Sequence, residues 1–137
     1  MKSEELKPGL KNRIVRIVGE KDTASFLGSG DVGVLATPIM ILWMEDCARQ
    51  LADKYLDEGR TTVGVHVDVY HKAPAPIGAK IIVEAELKEI KGRKLVFHVR
   101  AYLGDIVIGE GIHERYIVDL EKFRSKVNEI ALKISKG

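Results

Sequence analysis

Hydrophobic positions along the chain repeat with two different periods, and the change between them falls near residue 60. Ile41, Met44, Ala48, Leu51, Ala52 and Tyr55 recur at the three- and four-residue spacing of a helix with one buried face. Thr37 suits the N-cap of that helix and Pro38 its first helical position. The spacing therefore predicts a helix from Thr37 to about Leu56, ended by Gly59 and about 30 Å long. From residue 62 the period is two. Val63, Val65, Val67 and Val69 share one face of a strand over 62–71, with Gly64, His66, Asp68 and Tyr70 opposite. His71 has the parity of the valines.

Three more strands follow the same rule. Ile81, Val83, Ala85 and Leu87 mark one inward face, and Leu95, Phe97, Val99 and Ala101 the next, with Lys91-Gly92-Arg93 as a hairpin turn between them. Gly104-Asp105 turns the chain into a long strand over 106–118. Ahead of the helix, Ile14, Val15, Ile17 and Val18 predict a first strand within 12–20, and Gly28-Ser-Gly-Asp-Val-Gly33 must be a loop. Leu120, Phe123, Val127, Ile130, Ala131 and Ile134 describe an amphipathic terminal helix.

One long apolar helix followed by antiparallel strands with short turns is an α+β pattern. The simplest packing lays the apolar face of the sheet around the helix, with Gly109 and Gly111 allowing close backbone approach. Four strands after the helix cannot enclose it, and an unpaired edge would remain. Association of two subunits is the expected remedy.

Composition narrows the function classes. The 137 residues suit one domain with a single core. A net charge of +2, with no basic stripe interleaved with aromatics, argues against nucleic acid as a partner. The apolar runs are too short to span a membrane, and the first residues lack the apolar core of a signal peptide, so a cytoplasmic location is expected. Cys47 is the only cysteine, which excludes an intrachain disulfide and a thiolate metal cluster. It falls on the helix as a small core residue. The histidines share no metal-ligand spacing, so no metal is expected.

Three polar residues stand on surfaces that the pattern turns inward. Glu45 borders the apolar stripe beside Ile41, Met44 and Ala48; the ordinary explanation is an ion pair with Arg49 one turn on. The chemical explanation is a desolvated carboxylate acting as base or nucleophile. His71 is either a strand-end histidine or a ring aimed at the helix. Thr37 is either a cap or a hydroxyl at a helix N-terminus, which favours developing negative charge. Gly64 is either a packing glycine or an accessible N–H. His66 and His98 face away from the core, and the place of His113, in parity with Arg115, stays open.

The motifs Ala36-Thr-Pro, Met44-Glu-Asp-Cys-Ala48, Gly64, His71-Lys-Ala-Pro-Ala-Pro-Ile-Gly78, Gly111-Ile-His-Glu-Arg115 and Leu120-Glu-Lys-Phe123 keep a common register over about residues 34–127. In this they resemble the fluoroacetyl-CoA thioesterase-like family of hotdog-fold thioesterases. The resemblance implies a single hotdog domain over 1–137: a long helix wrapped by an antiparallel sheet, with a C-terminal helix. It also implies a homodimer or tetramer with active sites between subunits. The implied reaction is cofactor-free hydrolysis of an acyl-CoA substrate, with Thr37, Glu45 and His71 catalytic and Gly64 and Arg115 near the substrate.

On that resemblance Glu45 attacks the thioester carbonyl or activates water, Thr37 holds the carboxylate or orients the water, and His71 relays protons to the CoA sulfur. Gly64 N–H becomes an oxyanion donor, and Lys72 or Arg115 meets CoA phosphates. One departure limits the substrate. The family's fluoroacetyl-specific member carries an aromatic gate shortly before the threonine, where this chain has the Gly28–Gly33 loop, and Phe26 is out of register. A small or short-chain acyl group is therefore expected. The rivals are a non-catalytic acyl-CoA-binding dimer and a hydroxyacyl-CoA hydratase or dehydratase.

Overall fold

A computed structural model describes residues 5–136. Its elements are β1 (Lys11–Ile17), a 3-10 turn (Glu20–Asp22), α1 (Ala24–Leu27), α2 (Thr37–Asp53), β2 (Arg60–His71), β3 (Lys80–Lys91), β4 (Lys94–Leu103), β5 (Ile106–Asp119) and α3 (Leu120–Lys136). The strands form one antiparallel sheet in the order β1-β3-β4-β5-β2, so β1 and β2 are its edges. The α+β expectation holds. Among the described residues no helix is long and apolar enough to cross a membrane.

α2 lies against the inner face of the sheet. Its buried side chains are Met40, Trp43, Met44, Cys47, Ala48, Leu51 and Ala52. They meet the inward rows Ile81, Val83, Ala85 and Leu87 of β3 and Leu95, Phe97, Val99 and Ala101 of β4, all fully buried. Cys47 is a core residue as expected: its Sγ faces the carbonyls of Asn12 (3.4 Å) and Val83 (3.5 Å), and burial pushes its thiol up to about 11.

Several details differ from the sequence pattern. α2 ends at Asp53 rather than Leu56, and β1 ends at Ile17, before the turn at Glu20. The N-cap of α2 is Ala36, without a side-chain cap, so Thr37 is the first helical residue and its hydroxyl is free for another partner. The valine face of β2 is broken by a bulge: Gly64 opposes Arg115, but His66 opposes Glu114, leaving Val65 as the extra residue. Val67, Val69 and His71 therefore share the inner face with Gly64 and Thr62, while Val63 opposes Tyr116 on the outer one. Gly64 moves to the helix side, contrary to its parity.

α3 is an amphipathic helix as expected, yet none of its residues is buried, and Phe123, Val127, Ile130 and Ile134 stay between 38% and 74% exposed. By contrast Gly109 and Gly111 behave as expected. A Cβ on Gly109 would meet Met40 Sδ at 2.5 Å, and one on Gly111 would strike the carbonyl of Asp68 on β2. Strand β5 thus approaches its neighbours to a distance that only glycine permits.

Candidate active site

Two clefts flank α2, and the sequence-predicted residues divide between them. The first, about 320 Å³, is lined by Ala24, Ser29, Leu35, Thr37, His71 and Lys72, among others. Thr37 reaches it because the segment before α2 is joined to the segment after β2: Leu35 N–H donates to Ala75 O (2.8 Å), and Val34 bridges Pro76. His71 reaches it because β2 stops there, where the N–H groups of Lys72 and Ala73 both donate to Ile108, the bulged residue of β5. These ties bring Thr37 Oγ1 to 2.7 Å from His71 Nδ1. The other ring nitrogen, Nε2, is buried without a hydrogen-bond partner among the described residues. Burial holds the imidazole below its ordinary value, favouring the neutral ring that can accept a proton.

The second cleft, about 440 Å³, is lined by Arg16, Leu42, Trp43, Glu45, Asp46, Arg49 and Arg115. Glu45 is half-buried here, and its ordinary explanation fails. Arg49 pairs with Asp46 (2.7 Å) and Asp53 (3.1 Å) instead, and Asp46 also receives Arg16 (2.9 Å). Those cations lower the Asp46 carboxyl, the Arg49 hydrogen bond first. Glu45 is left facing Gly64: a Cβ there would lie 2.9 Å from Glu45 Oε2, 3.3 Å from His113 Cε1 and 3.4 Å from Arg115 Nη1. The missing side chain of Gly64 is therefore the space that the carboxylate occupies.

Arg115 is only 6% exposed. Its Nε donates to Thr62 Oγ1 (2.7 Å), its Nη2 to Thr62 O (3.0 Å), and its Nη1 meets His113 Nε2 at 3.1 Å. Burial disfavours the guanidinium charge and Glu45 is the main opposing influence. Lys72 is committed to Glu110 (2.8 Å), and His66 and His98 lie on the outer face as expected. No three His, Cys, Asp or Glu side chains among the described residues gather as metal ligands.

The fold thus joins Thr37 to His71, and Glu45 to Gly64 and Arg115. Within one protomer it does not join the two groups: Thr37 and Glu45 are eight residues apart on α2, about 12 Å along the axis. The sequence reading missed Thr62, which holds the arginine, and left His113 unplaced. The shared parity of His113 and Arg115 was the available signal for the latter.

Comparison with known proteins places the fold and the family. The profile of the fluoroacetyl-CoA-specific thioesterase family matches residues 18–121. A fluoroacetyl-CoA thioesterase of Streptantibioticus cattleyicolor is 41% identical over 97 residues, covering 70% of this chain and 69% of that protein. A solved structure of a fluoroacetyl-CoA thioesterase superposes with a TM-score of 0.85 at 31% identity, covering 92% of this chain and 98% of that one. A hot-dog-like protein from Thermanaerovibrio acidaminovorans gives 0.83 at 25% identity, over 89% and 90% of the two chains. The fold is a hotdog, and the chain belongs to the fluoroacetyl-CoA-specific thioesterase family.

Proposed function

We propose that the protein hydrolyses a small or short-chain acyl-CoA to the free acid and CoA, with Thr37, Glu45 and His71 catalytic and Gly64 and Arg115 against the acyl group. The observation that carries this reading is the Thr37–His71 hydrogen bond of 2.7 Å at an open cleft, in a chain of this family. Glu45 attacks the thioester carbonyl or removes a proton from the water that does, and Gly64 N–H steadies the oxyanion. The neutral His71 ring takes up a proton from solvent and, as the imidazolium, passes it to the departing CoA sulfur, and Thr37 sets the orientation of that ring. No metal or organic cofactor takes part.

The same reading makes the protein a homodimer, alone or paired into a tetramer, with its sites between subunits. A pair and a carboxylate about 12 Å apart on one helix meet one thioester only if two copies of α2 run antiparallel at an interface. The edge position of β2 and its exposed Val65, Val67 and Tyr70 support joining through sheet edges. Thr37 and His71 of one protomer then face Glu45 of its partner. As for the acyl group, the Gly28–Gly33 loop contributes Ser29 and no aromatic ring to the Thr37 cleft, which favours a small group without fluoroacetyl selectivity.

Thiol release from an acyl-CoA panel by wild type, Glu45→Ala and His71→Ala tests the chemistry. Loss of turnover in both variants is expected. Undiminished turnover in Glu45→Ala would sink the mechanism. CoA binding without thiol release by the wild type would leave a binding module, and water addition to an enoyl-CoA a hydratase. Mixing the two inactive variants tests the shared site: random exchange should restore roughly one quarter of wild-type activity, through one intact site per mixed dimer.

A further inference from the structure

We infer that His113 is a positioning residue: as a neutral ring protonated at Nδ1, it accepts a hydrogen bond from Arg115 and so fixes the guanidinium beside Glu45 over Gly64. This rests on the reading of Glu45 as the catalytic carboxylate. Two neighbours decide the tautomer. The carbonyl of His66, 2.9 Å from His113 Nδ1, can only accept, so Nδ1 must carry the proton. Arg115 Nη1, 3.1 Å from Nε2, can only donate, so Nε2 must be bare. One neutral tautomer satisfies both contacts. An imidazolium would set N–H against N–H and cation against cation, at a side chain only 1% exposed.

The groups around the ring agree. Arg115 lies on its own strand, Glu45 faces it from α2 and the backbone carbonyl of His66 from β2, the His66 imidazole lying beyond on the outer face, while β4 supplies the uncharged Phe97 ring, stacked at 6.5 Å. Burial is the largest influence and lowers the ring's affinity for a proton; Arg115 adds to it, and the His66 carbonyl and Glu45 oppose it.

The consequence falls on the guanidinium. Thr62 holds Nε and Nη2, and His113 holds Nη1, the nitrogen nearest the space above Gly64. With all three nitrogens anchored, Arg115 cannot swing toward Asp46 or Asp53 on α2, both of which also act on its charge. Its remaining Nη1 proton is available to the gap that Glu45 borders from the other side. Without the His113 acceptor Nη1 loses its anchor, and only the Thr62 side of the guanidinium is held beside Glu45.

The test compares His113→Phe, which keeps a ring against Phe97 but has no acceptor, with His113→Gln, which restores an acceptor. Thiol release is measured from about pH 5 to 9, and kcat and KM are separated. His113→Phe should lose about tenfold in kcat, since a held charge beside the reacting groups is displaced. His113→Gln should recover most of that loss. A His113→Phe enzyme with wild-type kcat overturns the inference. Nitrogen NMR of the wild-type imidazoles gives a readout that does not depend on any variant folding. A His113 ring protonated at Nε2, or one titrating at the ordinary value, overturns it equally. Glu45→Gln separates the two readings: if that variant still turns over, the Glu45 mechanism has failed, and the role of His113 falls with it.

Discussion

Replacing Gly64 by alanine separates stability from activity. The new Cβ would stand 2.9 Å from Glu45 Oε2, where ordinary contact begins near 3.4 Å, so the carboxylate must retreat by about 0.5 Å. It can do so, because it is the far end of a flexible side chain. The backbone raises no objection either: Gly64 does not have positive φ. Restricting the unfolded chain should then stabilise the protein by about 0.4–1 kcal/mol, less whatever the displaced carboxylate costs. The melting temperature should stay the same or rise slightly.

Activity should fall. A displacement of about 1 Å at a reacting group costs on the order of a hundredfold, so half that distance should cost on the order of tenfold, or about 1.4 kcal/mol of transition-state stabilisation. The assay pairs thermal melting with steady-state thiol release. Wild-type turnover in a folded Gly64→Ala enzyme would refute the placement of the reacting carboxylate over Gly64. Gly111→Ala is the contrasting case. Its Cβ would lie 2.5 Å from Val69 Cα and would also strike the Asp68 carbonyl, both backbone atoms that cannot step aside. It should destabilise by about 3 kcal/mol, at the upper end for overpacking.

Other outcomes follow from the same geometry. Thr37→Ala should reduce thiol release sharply yet change stability by less than the ~1 kcal/mol of a lost cap, because Ala36 is the cap; Thr37→Ser should keep activity, and a large drop in melting temperature would refute this. His71 and His113 are both held below the ordinary histidine value by burial. Their contribution is complete above about pH 6.5 and is lost as the pH falls below it, because the unfolded chain takes up protons first. Melting temperature should therefore fall on acidification, less steeply in His71→Asn, and a rise would contradict the assignment. Cys47, fully buried with its thiol near 11, should resist alkylation at pH 8 until denaturant is added. Rapid labelling of the native protein would show that α2 is not packed as described.

How much of this was legible in the chain depends on how local the cause is. Side-chain parity within a regular strand is a property of the backbone, so β3 and β4 could be read to the residue. The α2 stripe could be read for the same reason, and so could Gly109 and Gly111, whose bareness only makes sense beside a close neighbour. Thr37, Glu45 and His71 stood out because polar groups on inward surfaces are costly without a purpose. Parity failed on β2, where the bulge at Val65 depends on how β2 aligns with β5, and no residue of β2 alone reveals it. The cap was misassigned because threonine satisfies the local rule, whereas the hydroxyl is taken by a histidine 34 residues away.

What only the tertiary structure decided is partnership. Sequence supplies a carboxylate, an arginine and a histidine; the fold determines that Arg49 turns to Asp46 and Asp53, leaving Glu45 over Gly64 with Arg115. It also sets Thr62 and His113 around that guanidinium, through contacts between β2 and β5 that span up to 53 residues. Hydrophobic periodicity fixes which face a side chain takes, since that follows from the geometry of one element. Which group it meets there depends on register, bulges and loop closure between distant elements, and those are settled only when the sheet closes around α2.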